Sequence, residues 1–171
     1  MRSTAIPLVV LGLYAAVASF VFAAATTETI LLYPNIFRDV PDSLALSEQF
    51  MSEVRVGDVM RPLGMVETAT ALMATAIALY YRTARRWVLA SLIPLIAGQF
   101  LLSVLYLWPR ASILYDDRTD HTLAEIERAA TEFQTGELIR ILAALATAAL
   151  AVTAVLATHR TWVLNGRRRE I

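Results

Sequence analysis

Four long runs of apolar residues, separated by polar segments, set the pattern of this chain. The runs cover residues 5–33, 62–81, 87–108 and 137–158, with ends that are approximate. A helix needs about 20 residues to cross a hydrocarbon core of about 30 Å. The sequence therefore predicts an all-α fold, a four-transmembrane-helix bundle formed by one integral membrane domain over residues 1–171.

Prolines mark the ends of the predicted helices. Pro34 and Pro109 are expected to end the first and third helices, because proline has no backbone N–H and clashes with the preceding turn. Pro62 fits the first turn of the second helix, where a missing donor is tolerated. Pro94 lies inside the third run and is expected to kink that helix.

The first apolar run also resembles a secretory signal peptide. It has Arg2, an apolar stretch, and the small residues Ala23, Ala24 and Ala25 in the manner of a cleavage site. The run is longer than the apolar part of a usual signal peptide. We therefore expect it to remain in the protein as the first span.

Arginine is concentrated at one side of the predicted membrane. It precedes the first span, separates the second from the third, and follows the fourth, at Arg2, Arg82, Arg85, Arg86, Arg160, Arg167, Arg168 and Arg169. The other two connections are rich in Asp and Glu. The positive-inside rule therefore places both termini in the cytoplasm and the acidic connections outside, and Trp87 and Trp108 lie where an aromatic belt would place them.

Composition narrows the class of protein. Hydrophobic residues make up 57% of the chain, above the roughly 45–50% of a soluble domain. The absence of cysteine excludes disulfides and thiolate chemistry. All fifteen basic residues are arginine, which is typical of a bacterial genome of high GC content and favours the plasma (inner) membrane. The expected partners are the lipid bilayer, a hydrophobic small molecule, and either another membrane protein or copies of the chain; nucleic acid is not expected.

The two extracytoplasmic connections are each expected to carry a short amphipathic helix. Asp42 or Ser43 is expected to cap the first, and Thr122 with Glu125 has capping-box spacing at the start of the second. The apolar stripes are Leu46, Phe50, Met51 and Val54 in the first, and Leu123, Ile126, Ala130 and Phe133 in the second. Such helices would lie on the outer membrane face or over the mouth of the bundle, as a lid or as a plain connection.

Ionisable residues inside the spans carry most of the functional information, because charge is costly at membrane depth. Glu28 and Glu67 each lie about 7 Å inside the outer end of a predicted helix. Polar residues share one face of the third span and one face of the fourth: Gln99, Ser103, Tyr106 and Arg110, then Glu137 and Arg140. All lie toward the outer ends, so we expect one polar funnel that narrows toward Gln99.

Three interpretations of this funnel remain open. Arg140 is expected to pair with at least one of Glu28, Glu67 and Glu137, and such pairing fixes helix register. The same groups can instead form a binding or catalytic pocket, or an ion or proton path.

Neither a metal nor a cofactor is expected. Asp117, His121 and Glu125 share one helical face and have the side chains of a metal site. A solvated acidic loop explains them equally well.

Short motifs at the span ends are similar to those of the anthrone oxygenase-like family, small four-helix membrane proteins of bacteria and fungi. They are Thr27-Glu28 with Tyr33-Pro34-Asn35, Arg61-Pro62, Trp108-Pro109, and Glu137-Leu138-Ile139-Arg140, in span order. Many members have a histidine where this chain has Glu137. The resemblance implies a bundle that binds a hydrophobic, for example polycyclic, substrate and in some members oxidises it with molecular oxygen without a known cofactor.

The leading hypothesis is a small-molecule site with oxygenase-like, cofactor-independent oxidoreductase activity. Glu28 or Glu67 would act as base, and Arg140 with Tyr106 would hold the oxyanion that forms. The residues expected to bind the substrate are Tyr33, Asn35, Gln99, Ser103, Arg110 and Glu137. The rival hypothesis is a non-enzymatic accessory or structural subunit of a larger membrane complex. An enclosed cavity among these residues would favour the first, and a tightly packed interior the second.

Overall fold

The computed structural model describes residues 5–167, with side chains up to residue 164. This part of the chain is all helical and contains no strand. Its helices are α1 (Ala5–Ile36), α2 (Asp42–Phe50), α3 (Val56–Tyr81), α4 (Arg85–Asp116) and α5 (Leu123–Arg167). Of the arginines that predict the orientation, Arg2, Arg168 and Arg169 lie outside the described residues, and so does the side chain of Arg167.

Four helices, α1, α3, α4 and α5, are long and apolar enough to cross a membrane, as the sequence predicts. Only 22–33% of the most apolar segment of each is buried within the protein. Phe20, Leu72 and Ile93 are 62%, 63% and 70% exposed. A surface this apolar marks contact with a membrane or another protein.

Pro34 does not end α1, contrary to the prediction from sequence. The helix opens into one π-helical turn over Glu28–Leu32 and continues as α-helix over Tyr33–Ile36. Proline lacks an N–H and its ring clashes with the carbonyl four residues earlier in a regular α-helix. The wider turn, closed by the Tyr33 N–H on the Glu28 carbonyl, accommodates Pro34 without breaking the helix.

The start of α3 also differs from the prediction. The helix begins at Val56, and Pro62 lies inside it rather than in its first turn. The Arg55 N–H donates to Asp58 Oδ2 at 3.0 Å and so caps the helix. This first turn is polar, so the apolar pattern alone does not reveal it.

α4 runs past Trp108 and Pro109 to Asp116, although Pro109 was expected to end it. Wide π-helical segments occur at Pro94–Leu101, Ser103–Leu107 and Ser112–Asp116. Pro94, where the sequence predicts a kink, opens the first of them. As in α1, the wide turns absorb the missing donors and the bulk of the proline rings.

α5 joins two elements that the sequence predicts as separate, the second loop helix and the fourth span. The capping box forms: the Thr122 N–H donates to Glu125 Oε2 at 2.8 Å, and the Glu125 N–H to Thr122 Oγ1 at 3.4 Å. No proline follows before Glu137, and Gly136 costs a helix only about 1 kcal/mol. The change from polar to apolar residues is therefore a change of environment and not the end of a helix.

α1 is the central helix, packed along both α3 and α5, and α5 also packs along α4. α3 meets α4 mainly near the short turn between them. A Cβ at Gly98 of α4 would collide with the Cβ of Ala143, and one at Gly136 of α5 would collide with the Leu107 side chain. Glycine thus permits the close approach of α4 and α5.

Two apolar clusters lie at different heights in the molecule. The span cluster comprises Leu11, Tyr14, Ala15, Ala18, Ala71, Ala74, Ala78, Val88, Leu95, Ala148, Ala151 and Ala154. The cap cluster comprises Tyr33, Ile36, Leu44, Leu114, Ile126, Ala129 and Ala130. α2 joins the cap through Leu44 and through the Glu48–Arg118 ion pair at 2.9 Å. Along α1 and α5 the ionisable residues of interest fall between the two clusters.

Candidate functional site

The π-helical turn of α1 positions the first two side chains of the candidate site. Residues five apart on an α-helix point about 140° away from each other, whereas five residues come close to one turn of the wider helix. The turn over Glu28–Leu32 therefore stacks Tyr33 on Glu28, and the Tyr33 hydroxyl donates to Glu28 Oε1 at 2.5 Å. Both side chains are buried.

Arg140 lies between two buried carboxylates, Glu137 on its own helix and Glu28 on α1. Its Nη2 is 2.6 Å from Glu137 Oε2 and 3.6 Å from Glu28 Oε2. The expected pairing of Arg140 with at least one of the glutamates is confirmed. Tyr33 faces Glu137 as well as Glu28. We call Glu28, Tyr33, Glu137 and Arg140 the acid–arginine cluster.

Several polar atoms in and beside the acid–arginine cluster have no hydrogen-bond partner among the described residues. They are Glu28 Oε2, Thr29 Oγ1, Glu137 Oε2 and Arg140 Nε, all buried. Glu137 Oε2 is nevertheless ion-paired with Arg140 at 2.6 Å. A buried polar group without a partner costs about 1–3 kcal/mol, and here two carboxylates share one guanidinium. The cluster is therefore chemically suited to accept a proton or a hydrogen-bond donor.

Glu67 lies at a different level from the acid–arginine cluster. It is 1% exposed and faces Gln99 of α4. The Gln99 amide also donates to Thr147 Oγ1 at 3.0 Å, and Glu67 Oε1 has no hydrogen-bond partner among residues 5–164. Glu67 is thus a second buried carboxyl group. It lies beside the Gln99 amide and has no ion-pair partner among residues 5–164.

Tyr106 and Arg110 belong to a third group, at the edge of the bundle. The Arg110 guanidinium stacks on the Tyr106 ring at 3.5 Å from its centroid, and Arg110 Nε donates to Glu132 at 2.8 Å. Arg128 Nε donates to the same carboxylate at 2.8 Å. The hydroxyl beside the buried carboxylates is therefore that of Tyr33, while Tyr106 serves as a platform for Arg110.

The remaining two predicted binding residues lie apart from the acid–arginine cluster. Asn35 is exposed, and its amide donates to the Leu31 carbonyl of the preceding turn at 2.9 Å. Ser103 is half-buried and begins the second wide segment of α4. Of the ten predicted residues, the structure brings together the four of the acid–arginine cluster. Glu67 with Gln99 forms one separate group, and Tyr106 with Arg110 forms another.

Sequence reasoning overlooked a buried polar pair in the other half of the bundle. Tyr14 Oη and Ser91 Oγ are 3.0 Å apart, and both residues are completely buried. Each lies in an apolar run, where one hydroxyl gives no signal until the two helices are known to pack. Glu132 was likewise treated only as part of the acidic loop, although it holds both Arg110 and Arg128.

Two surface clefts lie outside the buried acids. One, of about 260 Å³, is lined by Pro109, Arg110, Ile113, Glu125, Arg128, Ala129 and Glu132. The other, of about 300 Å³, is lined by Phe37, Arg38, Asp39, Val40, Glu127, Ala130, Thr131 and Gln134. Neither includes Glu28, Glu67, Gln99 or Arg140, so the acids are closed off from both clefts.

No group of three or more metal-ligating side chains could hold an ion within the part of the chain described here. His121 Nδ1 is 3.7 Å from Glu125 Oε2, and Glu125 is engaged by Thr122 in the helix cap.

Protein-family models, curated proteins and solved structures were each compared with this chain, and none matches it.

Proposed function

We propose that the chain is a multi-pass protein of the bacterial plasma membrane with both termini in the cytoplasm. The turn between α3 and α4 carries Arg82, Arg85 and Arg86, and the opposite end carries α2 and most of the acidic residues. This asymmetry supports the orientation through the positive-inside rule. An alkaline phosphatase fusion after Arg118 should be active and one after Arg85 inactive. The reverse pattern would show the opposite orientation in the membrane.

In this orientation the acid–arginine cluster lies near the outer boundary of the membrane. Trp87 and Trp108 are 21 residues apart on α4, which at the α-helical rise of about 1.5 Å per residue is at most about 31 Å, since the wide segments between them rise less, and this is comparable to the thickness of a hydrocarbon core. Gln99 falls near the middle of that interval, and Glu67 beside it. Glu28 and Glu137 fall near the level of Trp108.

The acid–arginine cluster binds, in our proposal, a small hydrophobic molecule through a hydrogen-bond-donating polar end. The single observation that carries this proposal is that two buried carboxylates, Glu28 and Glu137, share one guanidinium, that of Arg140, through oxygens that accept no hydrogen bond from the described residues. Native proteins leave few buried polar groups without partners, and each such group calls for an explanation. A phenol or enol placed between the two carboxylates would satisfy them and stabilise the protein.

The anthrone oxygenase-like resemblance suggests the chemistry. One buried carboxylate, on Glu28 or Glu67, would take a proton from the acidic methylene of an anthrone, and Arg140 with the Tyr33 hydroxyl would stabilise the enolate oxygen. Molecular oxygen then accepts the electrons. The methylene becomes a carbonyl with one oxygen atom, and the other atom leaves as water with the two hydrogens removed, so anthrone and oxygen give anthraquinone and water.

Oxygen uptake tests this reaction. Protein in liposomes is supplied with anthrone, and oxygen loss and anthraquinone absorbance are followed together against empty liposomes. We expect Glu28→Gln to lower the protein-dependent rate at least tenfold, and the exposed Glu53→Gln to leave it unchanged. A wild-type rate equal to that of empty liposomes would reject the oxidation.

An accessory subunit is the second candidate, and the closed packing around the buried acids favours it. Neither cleft reaches them, and the four spans expose apolar faces over most of their lengths. Such a subunit would migrate with a larger complex after extraction in a mild detergent. Migration at the mass of the chain alone, together with anthrone-dependent oxygen uptake, would exclude this role.

A further inference from the structure

The buried position of the acid–arginine cluster raises the question of how a ligand reaches it. We propose that the cleft formed by residues 37–40 and 127–134 is an aqueous entrance to the cluster, and that the Phe37 ring is its gate. This inference rests on the proposed function, since it concerns access to the same site. It adds a route from the outer solution by which the ligand, with its hydrogen-bond-donating polar end, reaches the site.

The cleft has the size and the lining of such an entrance. Its volume of about 300 Å³ is at the lower end of the range for small-molecule sites. Most of its lining is polar or charged: Arg38, Asp39, Glu127, Thr131 and Gln134. Gln134 lies three residues, about one helical turn, before Glu137 on α5, so the inner end of the cleft is within about one turn of the acid–arginine cluster.

A partition one ring thick separates the cleft from the cluster. Phe37 lines the cleft, and its ring packs edge-on against that of Tyr33, with centroids 5.4 Å apart. Phe133 completes the partition, 5.9 Å from Phe37 and 5.8 Å from Tyr33. The Tyr33 hydroxyl in turn donates to Glu28. The order from solution to site is therefore cleft, Phe37, Tyr33, Glu28.

Phe37 is held in a way that permits rotation. It lies just after the last turn of α1, where its backbone leaves helical geometry at φ −107° and ψ 15°. Its side chain is fixed by ring contacts rather than by a hydrogen bond or an ion pair, and such contacts are weak and tolerate several arrangements. A change of rotamer at Phe37 would join the cleft to the cluster without unwinding a helix.

The competing route is lateral, from lipid, between α3 and the outer half of α4. Those two segments have little contact, and the Arg61 guanidinium lies 5.9 Å from the Trp108 ring across the gap. A hydrophobic ligand could use this side. The two routes differ in which side chain blocks them, Phe37 or Arg61.

The absence of cysteine from the chain makes the test direct, because one introduced thiol is the only thiol. Thr29→Cys places it next to Glu28, at a half-buried residue whose Oγ1 is buried and makes no hydrogen bond to the described residues. A charged, membrane-impermeant methanethiosulfonate is added outside right-side-out vesicles, and the labelling rate is measured. We expect Phe37→Ala to raise that rate at least tenfold, and Phe20→Ala, on a 62% exposed residue of the same helix, to leave it unchanged.

Controls separate the outcomes. Gln134→Cys, in the cleft, should label rapidly with or without Phe37→Ala. If Phe37→Ala fails to fold, Phe37→Leu is used and should give an intermediate rate. A rate unchanged by either Phe37 substitution would overturn the gate. Labelling by an uncharged, lipid-soluble maleimide that is raised by Arg61→Ala and not by Phe37→Ala would favour the lateral route. Anthrone-dependent oxygen uptake in the same proteins tests the proposed function separately. If the Phe37→Ala protein is labelled as slowly as the protein with Phe37 but takes up oxygen normally, only the gate is rejected.

Discussion

The two halves of the bundle treat buried polar groups in opposite ways. In the half around the span cluster, Tyr14 pairs with Ser91, and Thr83 pairs with Thr158 at 3.1 Å. The buried side-chain atoms without a hydrogen-bond partner among residues 5–164 are Glu28 Oε2, Thr29 Oγ1, Glu137 Oε2 and Arg140 Nε in the other half, and Glu67 Oε1 near the middle, where Tyr14 is an electrostatic neighbour. A protein that satisfies its polar groups in one half has the means to do so in both. Their concentration in one half therefore points to a role other than stability.

Arg140 gives the largest expected effect on stability. Arg140→Gln removes the shared cation and leaves Glu28 and Glu137 facing each other, and loss of one partner of a buried ion pair costs about 3–5 kcal/mol. The melting temperature in detergent should fall sharply. Arg128→Gln, on an 80% exposed side chain, should change it little. Adding Glu28→Gln and Glu137→Gln to Arg140→Gln should restore part of the loss; if it does not, the cluster is not electrostatically coupled.

Substitution of Glu67 tests whether this residue has a catalytic or a structural role. A structural ion-pair partner replaced by Gln would leave its cation uncompensated, at a cost of about 3–5 kcal/mol. Glu67 has no ion-pair partner among the described residues, so we expect Glu67→Gln to melt within a few degrees of the wild type. Anthrone-dependent oxygen uptake, in contrast, should fall at least tenfold if Glu67 is the base. A variant that melts early and keeps its activity would make Glu67 a structural element.

Tyr14 and Ser91 test the half around the span cluster, where the buried hydroxyl groups are hydrogen-bonded to each other. Tyr14→Phe removes one buried hydrogen bond, which is worth about 1 kcal/mol, and Ser91→Ala removes that bond together with the one from Ser91 Oγ to the Val88 carbonyl. Thermal unfolding of the two single variants and the double variant gives the coupling between the two hydroxyls. We expect a measurable coupling and unchanged oxygen uptake. Loss of activity in Tyr14→Phe would extend the functional region into this half.

Arg82 gives the smallest expected effect, and in the opposite direction. Its backbone is left-handed, with φ 56°, at the end of α3, a position where glycine avoids the steric cost of a side chain. Arg82→Gly should therefore stabilise the protein by up to about 1 kcal/mol, since a left-handed residue other than glycine costs about 1–2 kcal/mol and glycine adds freedom to the unfolded chain. A lower melting temperature would mean that the Arg82 side chain contributes contacts that outweigh the strain.

The number and type of the helices could be predicted from the sequence because they depend on runs of apolar residues. Several helix ends could not, and the reasons are local. Pro34 and Pro109 normally end helices, and the π-helical turns that absorb them leave no mark in an apolar pattern. The polar first turn of α3 and the polar first third of α5 lack the apolar signal by which spans are found.

The residues of the candidate site could also be predicted only in part from the sequence. Glu137 and Arg140, three residues apart on a regular α-helix, could be paired from sequence alone. Glu28 and Tyr33 could not, since α-helical periodicity points them apart. Tyr106 and Arg110 were expected to join the buried acids, but Glu132, on the polar extension of α5, holds Arg110 at the edge. The extent of α5 had to be known before that contact could be foreseen.

The π-helical turn of α1 also makes the site tolerant of a change in chain length at this point. Such a turn holds about one residue more than an α-helical turn, so deleting a single residue between Thr29 and Leu32 would let the helix return to regular spacing. Tyr33 would then follow Glu28 by four residues instead of five, and residues four apart share one face of an α-helix. The residues beyond would keep nearly their present direction, but Pro34 would meet a carbonyl that the wide turn now avoids. The extra residue in this turn therefore serves the proline more than the stacking of Tyr33 on Glu28.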